Sequence, residues 1–359
     1  IERNVIYGKK SYVSVLDYKK KIDLAIIAIP AKSVKKVLEE CWKKKIRNII
    51  IISGGFSEIG NIKEESQIIE IGKRYGMNIL GPNCFGVANP YLNLDTTFSK
   101  LSAKKGDIAF IAQSGALWSY LADVSNLNKK VGFSAYISLG NMADLEFDDF
   151  IEYFNKDKKT KKIILYIEKL KDGKRFIEAC KRSKKKIIAV KAGRTKKGTE
   201  ATLSHTGSLA TDFEIYKGVF KQSGIKLENS LSSAFGIKRG EIKPKGKNIA
   251  IVTNAGGAGA LLTDYLIEKK YNVNKPIDLI GTALAEDYKN AFDKLKNLDI
   301  DSVIAILTPQ SMSQPEKTAE EIVKFSKFKP TIALFLGRNS IKKAKQILIK
   351  NRIPCFTNI

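Results

Sequence analysis

Histidine is almost absent. His205 is the single imidazole in 359 residues, which excludes a multi-histidine metal centre and leaves one side chain that titrates near neutrality unaided. Cysteine is scarce and scattered: Cys41, Cys84, Cys180 and Cys355 form no CxxC pair. No zinc site or disulfide framework follows from that spacing, and a reduced, cytoplasmic protein is the simplest account. Cys84 reads as a small buried residue rather than a nucleophile, because no base lies within sequence reach. No apolar run reaches the length of a membrane span, so no membrane partner is expected. The opening Ile1-Glu2-Arg3 has no secretory character. Acidic residues are few, 37 against 63 lysines and arginines, for a formal net charge of +26. That excess raises a nucleic-acid reading. The lysines, however, are spread through nearly every segment, as in Lys19-Lys20-Lys21, Lys43-Lys44-Lys45 and Lys184-Lys185-Lys186. They form no aromatic-laced patch, so nucleic acid is not expected as a partner; an anionic small ligand or an acidic partner subunit fits the charge equally well.

What is present is a repeated alternation of apolar strands, glycine turns and lysine-rich helices, in a chain long enough for two or three domains. Asp23–Ile29 and Asn48–Ile52 read as buried parallel strands. Helices are expected over 33–45 and 63–75. The second strand runs into Ser53-Gly-Gly-Phe-Ser-Glu58, and Asn78-Ile-Leu80 runs into Gly81-Pro-Asn-Cys-Phe-Gly86. Glycine turns at strand C-termini are where open α/β sheets place ligands. This is half of a doubly wound domain whose first strand and glycine-rich loop are missing, so the N-terminus reads as truncated or disordered. Residues 89–105 read as a polar connection.

Gly106–Leu117 then reads strand, tight turn, helix, with Ser114 placed to cap the helix and Gly115 open to a ligand. Strands at 132–139, 162–167 and 186–190 follow. The second ends in Tyr166-Ile-Glu168, and the third in Lys191-Ala-Gly-Arg194 before the small-residue stretch that carries His205. After the linker Pro244–Asn248 the same device returns in Ile249-Ala-Ile-Val-Thr-Asn-Ala-Gly-Gly-Ala-Gly-Ala-Leu261. The region past Lys270 is too short for another strand and connection, and residues are expected to be missing there. The fold class is α/β: a truncated Rossmann-like unit (1–100) followed by two doubly wound units (101–243 and 244–359).

Taken alone, His205 is either a packing or capping residue or a nucleophile in a slim loop. Its surroundings suggest chemistry. Two glycine-turn helix N-termini would each present N–H groups and about half a positive charge to an anion. A carboxylate such as Glu168 on one ring nitrogen would leave the other free to attack. Lys191 and Arg194, at a strand end beside this stretch, are either solvated or in contact with a bound anion such as phosphate.

These residues carry a resemblance. Ser204-His-Thr-Gly-Ser-Leu-Ala210, Gln113-Ser-Gly-Ala-Leu117, Ser138-Leu-Gly-Asn-Met-Ala-Asp144, Tyr166-Ile-Glu168 with Lys171-Asp-Gly173, Lys191-Ala-Gly-Arg194, Asn254-Ala-Gly-Gly257 and Pro276-Ile-Asp-Leu-Ile-Gly281, together with the two loops of the first unit, resemble the α part of the NDP-forming acyl-CoA synthetases. This is the succinyl-CoA synthetase superfamily, and the chain is most similar to its ADP-forming acetyl-CoA branch. The resemblance implies a CoA-binding Rossmann-like domain followed by two flavodoxin-like domains, and an acid–thiol ligase that converts acyl-CoA, ADP and phosphate to acid, ATP and CoA. It implies that His205 carries the phosphoryl group, that Glu168 orients it, and that Ser114, Gly115, Gly256 and Gly257 bind phosphate. CoA contacts are implied at Pro30, Ser53, Gly54, Gly55 and Asn83. ATP, ADP and magnesium would bind to an ATP-grasp β subunit or fused domain in an α2β2-like hetero-oligomer; no metal is expected on this chain. Three departures stand out: Ala258 replaces a frequent proline, Arg338 replaces a frequent glycine, and the segment near Lys270 is short. A second expectation is a CoA-binding regulatory module related to protein acetyltransferases.

Overall fold

Isoleucine- and valine-rich runs closed by glycine or proline form short buried parallel strands, and the lysine-rich segments between them form the covering helices. The computed structural model describes residues 5–128, 130–206, 212–238 and 240–359, without the side chains of 203–206. A hairpin, β1 (Val5–Ile6) and β2 (Lys9–Lys10), comes first. The first sheet is parallel, in the order β3 (Leu24–Ile27), β4 (Asn48–Ile51), β5 (Asn78–Leu80). Helices α1 (Ala31–Lys43) and α2 (Ile62–Tyr75) bury Val34, Leu38, Ile68 and Ile71 against Ile49, Ile51 and Ile79.

The second sheet contains β6 (Val87–Asn89), β7 (Leu94–Asp95), β8 (Lys105–Ala112), β9 (Phe133–Ser138), β10 (Lys162–Ile167), β11 (Lys186–Lys191) and β12 (Lys226–Glu228), in the order β12-β11-β10-β8-β9-β6-β7. The stretch read as a polar connection starts with a hairpin. Asn93 at φ +50° sits in its turn, and Val87 of β6 pairs antiparallel with Ile137 of β9. Residues 87–95 therefore extend the second sheet, ahead of the boundary expected at 100. The helices here are α3 (Leu117–Leu127), α4 (Phe147–Lys156), α5 (Gly173–Arg182), α6 (Lys196–Thr206), α7 (Phe213–Gln222) and α8 (Leu231–Ala234).

The third sheet contains β13 (Asn248–Thr253), β14 (Asn272–Val273), β15 (Ile277–Asp278), β16 (Ser302–Leu307), β17 (Thr331–Phe335) and β18 (Cys355–Phe356). Its helices are α9 (Gly256–Glu268), α10 (Ala285–Leu295), α11 (Pro315–Phe325) and α12 (Lys342–Lys350). Past Lys270, where residues are expected to be missing, α9 is followed directly by the next strand. Helix α9 stops in a Schellman turn: Lys270 takes φ +63°, its N–H reaches Ile267 O at 2.9 Å, and Tyr271 N–H reaches Leu266 O at 3.0 Å. The next strand then starts at once and is split. β14 pairs with Asn248–Ile249 and β15 with Val252–Thr253, on either side of Pro276, which has no N–H to offer.

The second and third units share one strand order. β12-β11-β10-β8-β9 matches β18-β17-β16-β13-β14, the flavodoxin-like arrangement. The registers agree as well: Tyr166 pairs with Ala112 as Ile306 pairs with Thr253, and Ile167 pairs with Lys191 as Leu307 pairs with Phe335. Helices α3 and α9 share a single core with both sheets. Trp118, Tyr120 and Leu121 of α3 and Leu261, Leu262 and Leu266 of α9 pack with Phe110, Ile164, Ile249 and Ile304. This burial explains why both helices are apolar over most of their circumference.

Candidate active site

The glycine turns after β8 and β13 meet. A Cβ built on Gly257 would lie 2.6 Å from Ser114 Oγ and 2.7 Å from the Tyr166 hydroxyl. Among the described residues, neither α3 nor α9 has a side-chain cap. Ser114 does not cap its helix as expected. Gly115 and Ala116 form a turn first, α3 starts at Leu117, and the Ser114 hydroxyl faces the other helix instead. Gly115 has no room for a Cβ beside Phe85. The turns at Ser114–Gly115 and Gly256–Gly257, just ahead of and at the start of the two helices, are thus in contact, and among the described residues no side chain caps either helix.

Gln113 and Glu168 form one wall. Gln113 Oε1 accepts from the N–H groups of Glu168 at 2.6 Å and Lys169 at 2.9 Å, which fixes the strand end that carries the carboxylate. Gln113 Nε2 is buried with no hydrogen-bond partner among the described residues. A buried amide donor left unpaired costs about 1–3 kcal/mol. The Tyr166 hydroxyl donates to Gly257 O at 3.1 Å and ties the strand to α9. Burial, and then the Glu168 charge, raise its pKa well above the ordinary phenol value.

Lys191 is neither solvated nor turned to a free surface. Its ammonium donates to Glu168 O at 2.8 Å and to Ala192 O, and lies 4.6 Å from the centre of the Tyr216 ring. Burial pushes its pKa down to about 8, against the opposing pull of Glu168 and Asp264. Arg194 is buried as well, within 3.0 Å of Glu268 and 2.9 Å of Asn229 Oδ1. The stretch expected to be a loop around His205 is partly helix. Thr195 Oγ1 accepts from Gly198 N–H at 3.0 Å, and α6 runs from there through His205 to Thr206. The His205 side chain and residues 207–211 lie outside the described residues. Asp212 caps α7 through Glu214 N–H at 2.9 Å.

The five residues expected on the CoA side converge at the C-terminal edge of the first sheet. Ser53 Oγ accepts from Ile29 N–H at 3.0 Å, just before Pro30, the N-cap residue of α1. Asn83 N–H donates to Ser53 O at 2.9 Å. A Cβ on Gly54 would lie 3.2 Å from Asn83 Oδ1, and one on Gly55 would lie 3.2 Å from Ala31 Cβ. The cluster joins the second unit through Asn83 Nδ2 to Asn141 Oδ1 at 3.3 Å and through Asn141 Nδ2 to Glu65 Oε2 at 2.7 Å. Phe85 N–H donates to Ser138 Oγ at 2.8 Å, next to Gly115. The path from the first sheet to the two helix N-termini is therefore short. Cys84 is buried, and its thiol is pushed up to about 12 by that burial, which suits packing rather than chemistry. Among the described residues no group of three or more potential metal ligands gathers, and no helix is long and apolar enough to cross a membrane.

Sequence reasoning quoted Gln113 and Tyr166 within motifs but assigned neither to the site. It passed over Asp264 altogether, although an acid in the middle of a mostly apolar helix is a visible signal.

Comparison with known proteins follows the same outline. Residues 2–90 match a CoA binding domain and residues 105–239 match a succinyl-CoA ligase like flavodoxin domain. The chain is 40% identical to the acetate–CoA ligase [ADP-forming] II subunit alpha of Pyrococcus furiosus, over 99% of this chain and 85% of that one. It is 40% identical to the acetate–CoA ligase [ADP-forming] of Methanocaldococcus jannaschii, over 98% of this chain but only 54% of the relative. Among solved structures, a Candidatus Korarchaeum cryptofilum dinucleotide-forming acetyl-coenzyme A synthetase 1, in complex with phosphate and ADP, superposes with a TM-score of 0.62 at 32% identity. That match covers 99% of this chain and 84% of that one.

Proposed function

We propose a reaction from one premise: this chain belongs to the ADP-forming acetate–CoA ligase family, a family of acid–thiol ligases, and corresponds to its α part. It carries the half of the chemistry that turns an acyl-CoA and phosphate into a free acid, CoA and a phosphorylated His205. A phosphate oxygen attacks the thioester carbonyl, the C–S bond breaks, and CoA leaves as the thiol. The acyl phosphate then meets the imidazole: nitrogen attacks phosphorus, the P–O bond to the acyl group breaks, and the carboxylate departs. The phosphoryl group passes from His205 to the terminal oxygen of ADP.

The observation that carries this reading is the junction of two helix N-termini beside an orphaned buried amide, Gln113 Nε2. Ser114–Gly115 and Gly256–Gly257 stabilise the phosphate charge, and Glu168 fixes the imidazole tautomer. Pro30, Ser53, Gly54, Gly55 and Asn83 hold CoA at the first sheet, with the thioester directed to Gly115. The working units are 1–100, 101–243 and 244–359, with the hairpin at 87–95 lent to the second sheet. The chain spans about half of its Methanocaldococcus relative. An ATP-grasp part, separate or fused, supplies the nucleotide site and its magnesium, in an α2β2-like assembly in the cytoplasm. Acetate is the reference acyl group.

Incubating the chain with acetyl-CoA and labelled phosphate tests the reading. Acid-labile label should appear on His205 and vanish in His205→Asn, and label that persists in the variant sinks the mechanism. A panel of acetyl, branched, aryl and longer acyl-CoA substrates with the reconstituted enzyme then fixes the acyl preference.

A further inference from the structure

What holds the helix that carries His205 is a carboxylate from another unit. Asp264, fully buried in α9, accepts from three consecutive N–H groups: Gly193 at 2.9 Å, Arg194 at 3.0 Å and Thr195 at 2.8 Å. It also accepts from Thr195 Oγ1 at 2.8 Å. These residues form the turn from which α6 starts. Gly198, in the first turn of α6, has no room for a Cβ because the carboxylate occupies that space. Arg194 closes the arrangement from the side, on Glu268 one turn further along α9. Helix α9 therefore has the candidate phosphate site at its N-terminus and this clamp eight residues on, about 12 Å away along a rigid rod.

The molecule contains its own control. By strand register, Gly115 corresponds to Gly256, and Asp123 of α3 corresponds to Asp264. Asp123, also fully buried, reaches the opposite way. It accepts from Arg338 N–H at 2.6 Å, Asn339 N–H at 3.2 Å, Ser340 N–H at 3.2 Å and the Ser340 hydroxyl, in the turn that leads to α12. Gly193-Arg194 and Gly337-Arg338 occupy equivalent places after β11 and β17. The two clamps use the same chemistry in the same register, but only one lies at the root of the histidine helix.

We propose that Asp264 is the positioning residue for His205: it fixes the root of α6 on α9, so the imidazole is presented from a point set by the helix whose N-terminus holds the phosphate. This rests on the phosphoryl-carrier reading above. The prediction is asymmetric. In the full chain, Asp264→Asn lowers the rate constant of His205 labelling from acetyl-CoA and phosphate at least tenfold. Its KM for acetyl-CoA stays within twofold of the parent, because the CoA cluster lies on other elements. Asp123→Asn, which breaks the equivalent clamp, leaves labelling within twofold. Thr195→Val, which removes one of the four donors, gives a two- to fivefold loss and decides the matter if Asp264→Asn does not fold. Equal losses in the two aspartate variants, or full labelling in Thr195→Val, overturn the proposal. Amide hydrogen exchange over 193–206 provides a readout that needs no chemistry. It should quicken in Asp264→Asn and stay unchanged in Asp123→Asn, and slow exchange in both removes the clamp itself. If the parent chain takes no label while exchange behaves as stated, the carrier reading has failed and the clamp has not.

Discussion

The second and third units are alike in strand order, register and clamp, and differ in what the clamp serves. Asp264 holds the root of the helix that contains His205, whereas Asp123 holds the root of α12. The strand ends diverge in the same way. After β10 the chain presents Glu168, fixed by Gln113. After β16 it presents Thr308, whose N–H goes to Asn254 Oδ1 at 2.8 Å. One architecture thus sets the clamp once at the root of the His205 helix and once at the root of α12. A carboxylate that accepts several backbone N–H groups stabilises any turn, and reactivity comes from what the turn leads into.

The comparison can be broken at its acids first. Asp264→Ala and Asp123→Ala each leave a set of buried donors unpaired, and each should lower unfolding free energy by about 4 kcal/mol in urea titrations. The stability costs should match although the labelling rates do not. The arginines should separate the units. Arg194 is enclosed by Asp264, Glu268 and Asn229, and Arg338 is exposed. Arg194→Ala should therefore cost about 3 kcal/mol and Arg338→Ala less than about 0.5 kcal/mol, read from the same titrations. Next comes the junction between the units. Gly257→Ala places a methyl against Ser114 and Tyr166, and the displacement should slow His205 labelling about 100-fold. A rate within twofold of the parent would mean that the two N-termini do not act together.

The smallest effect concerns Lys191, whose place in the third unit is taken by the apolar Phe335. Its folded pKa of about 8 lies below the ordinary lysine value, so between those values the unfolded chain binds more protons and stability rises with pH. The contribution is present above the ordinary value and is lost as pH falls through about 8. Cys41 and Cys84, held up at about 11 and about 12, act in the opposite direction once unfolded thiols ionise. The clean quantity is therefore the parent minus Lys191→Met. It should gain about 1 kcal/mol between about pH 7.5 and 9, and a flat difference would show that the ammonium is not held as described.

The strands and glycine turns were legible because apolar runs and φ-permissive residues are local signals. The paired units were legible as a repeated strand–glycine turn–helix pattern. Three features were not. The 87–95 hairpin depends on a free edge of β9, which no local pattern announces. The Schellman turn at Lys270 requires a lysine with positive φ, a choice dictated by the strand that follows. The clamps join Asp264 to 193–195 and Asp123 to 338–340, contacts between units that periodicity within one element cannot reveal. His205 stood out as the single histidine and Glu168 by its place at a strand end, whereas Gln113 stood out only once its unpaired amide was seen inside the site.

The reciprocal clamps and the core shared by α3 and α9 also bear on how the chain comes apart. Cutting at the linker 244–248 would sever a single covalent connection, yet it would strip each half of the acid that ties its neighbour's turn and expose one side of a helix meant to lie between two sheets. The two units should therefore melt as one transition, and a fragment ending near residue 243 should be insoluble unless the remainder is supplied in trans.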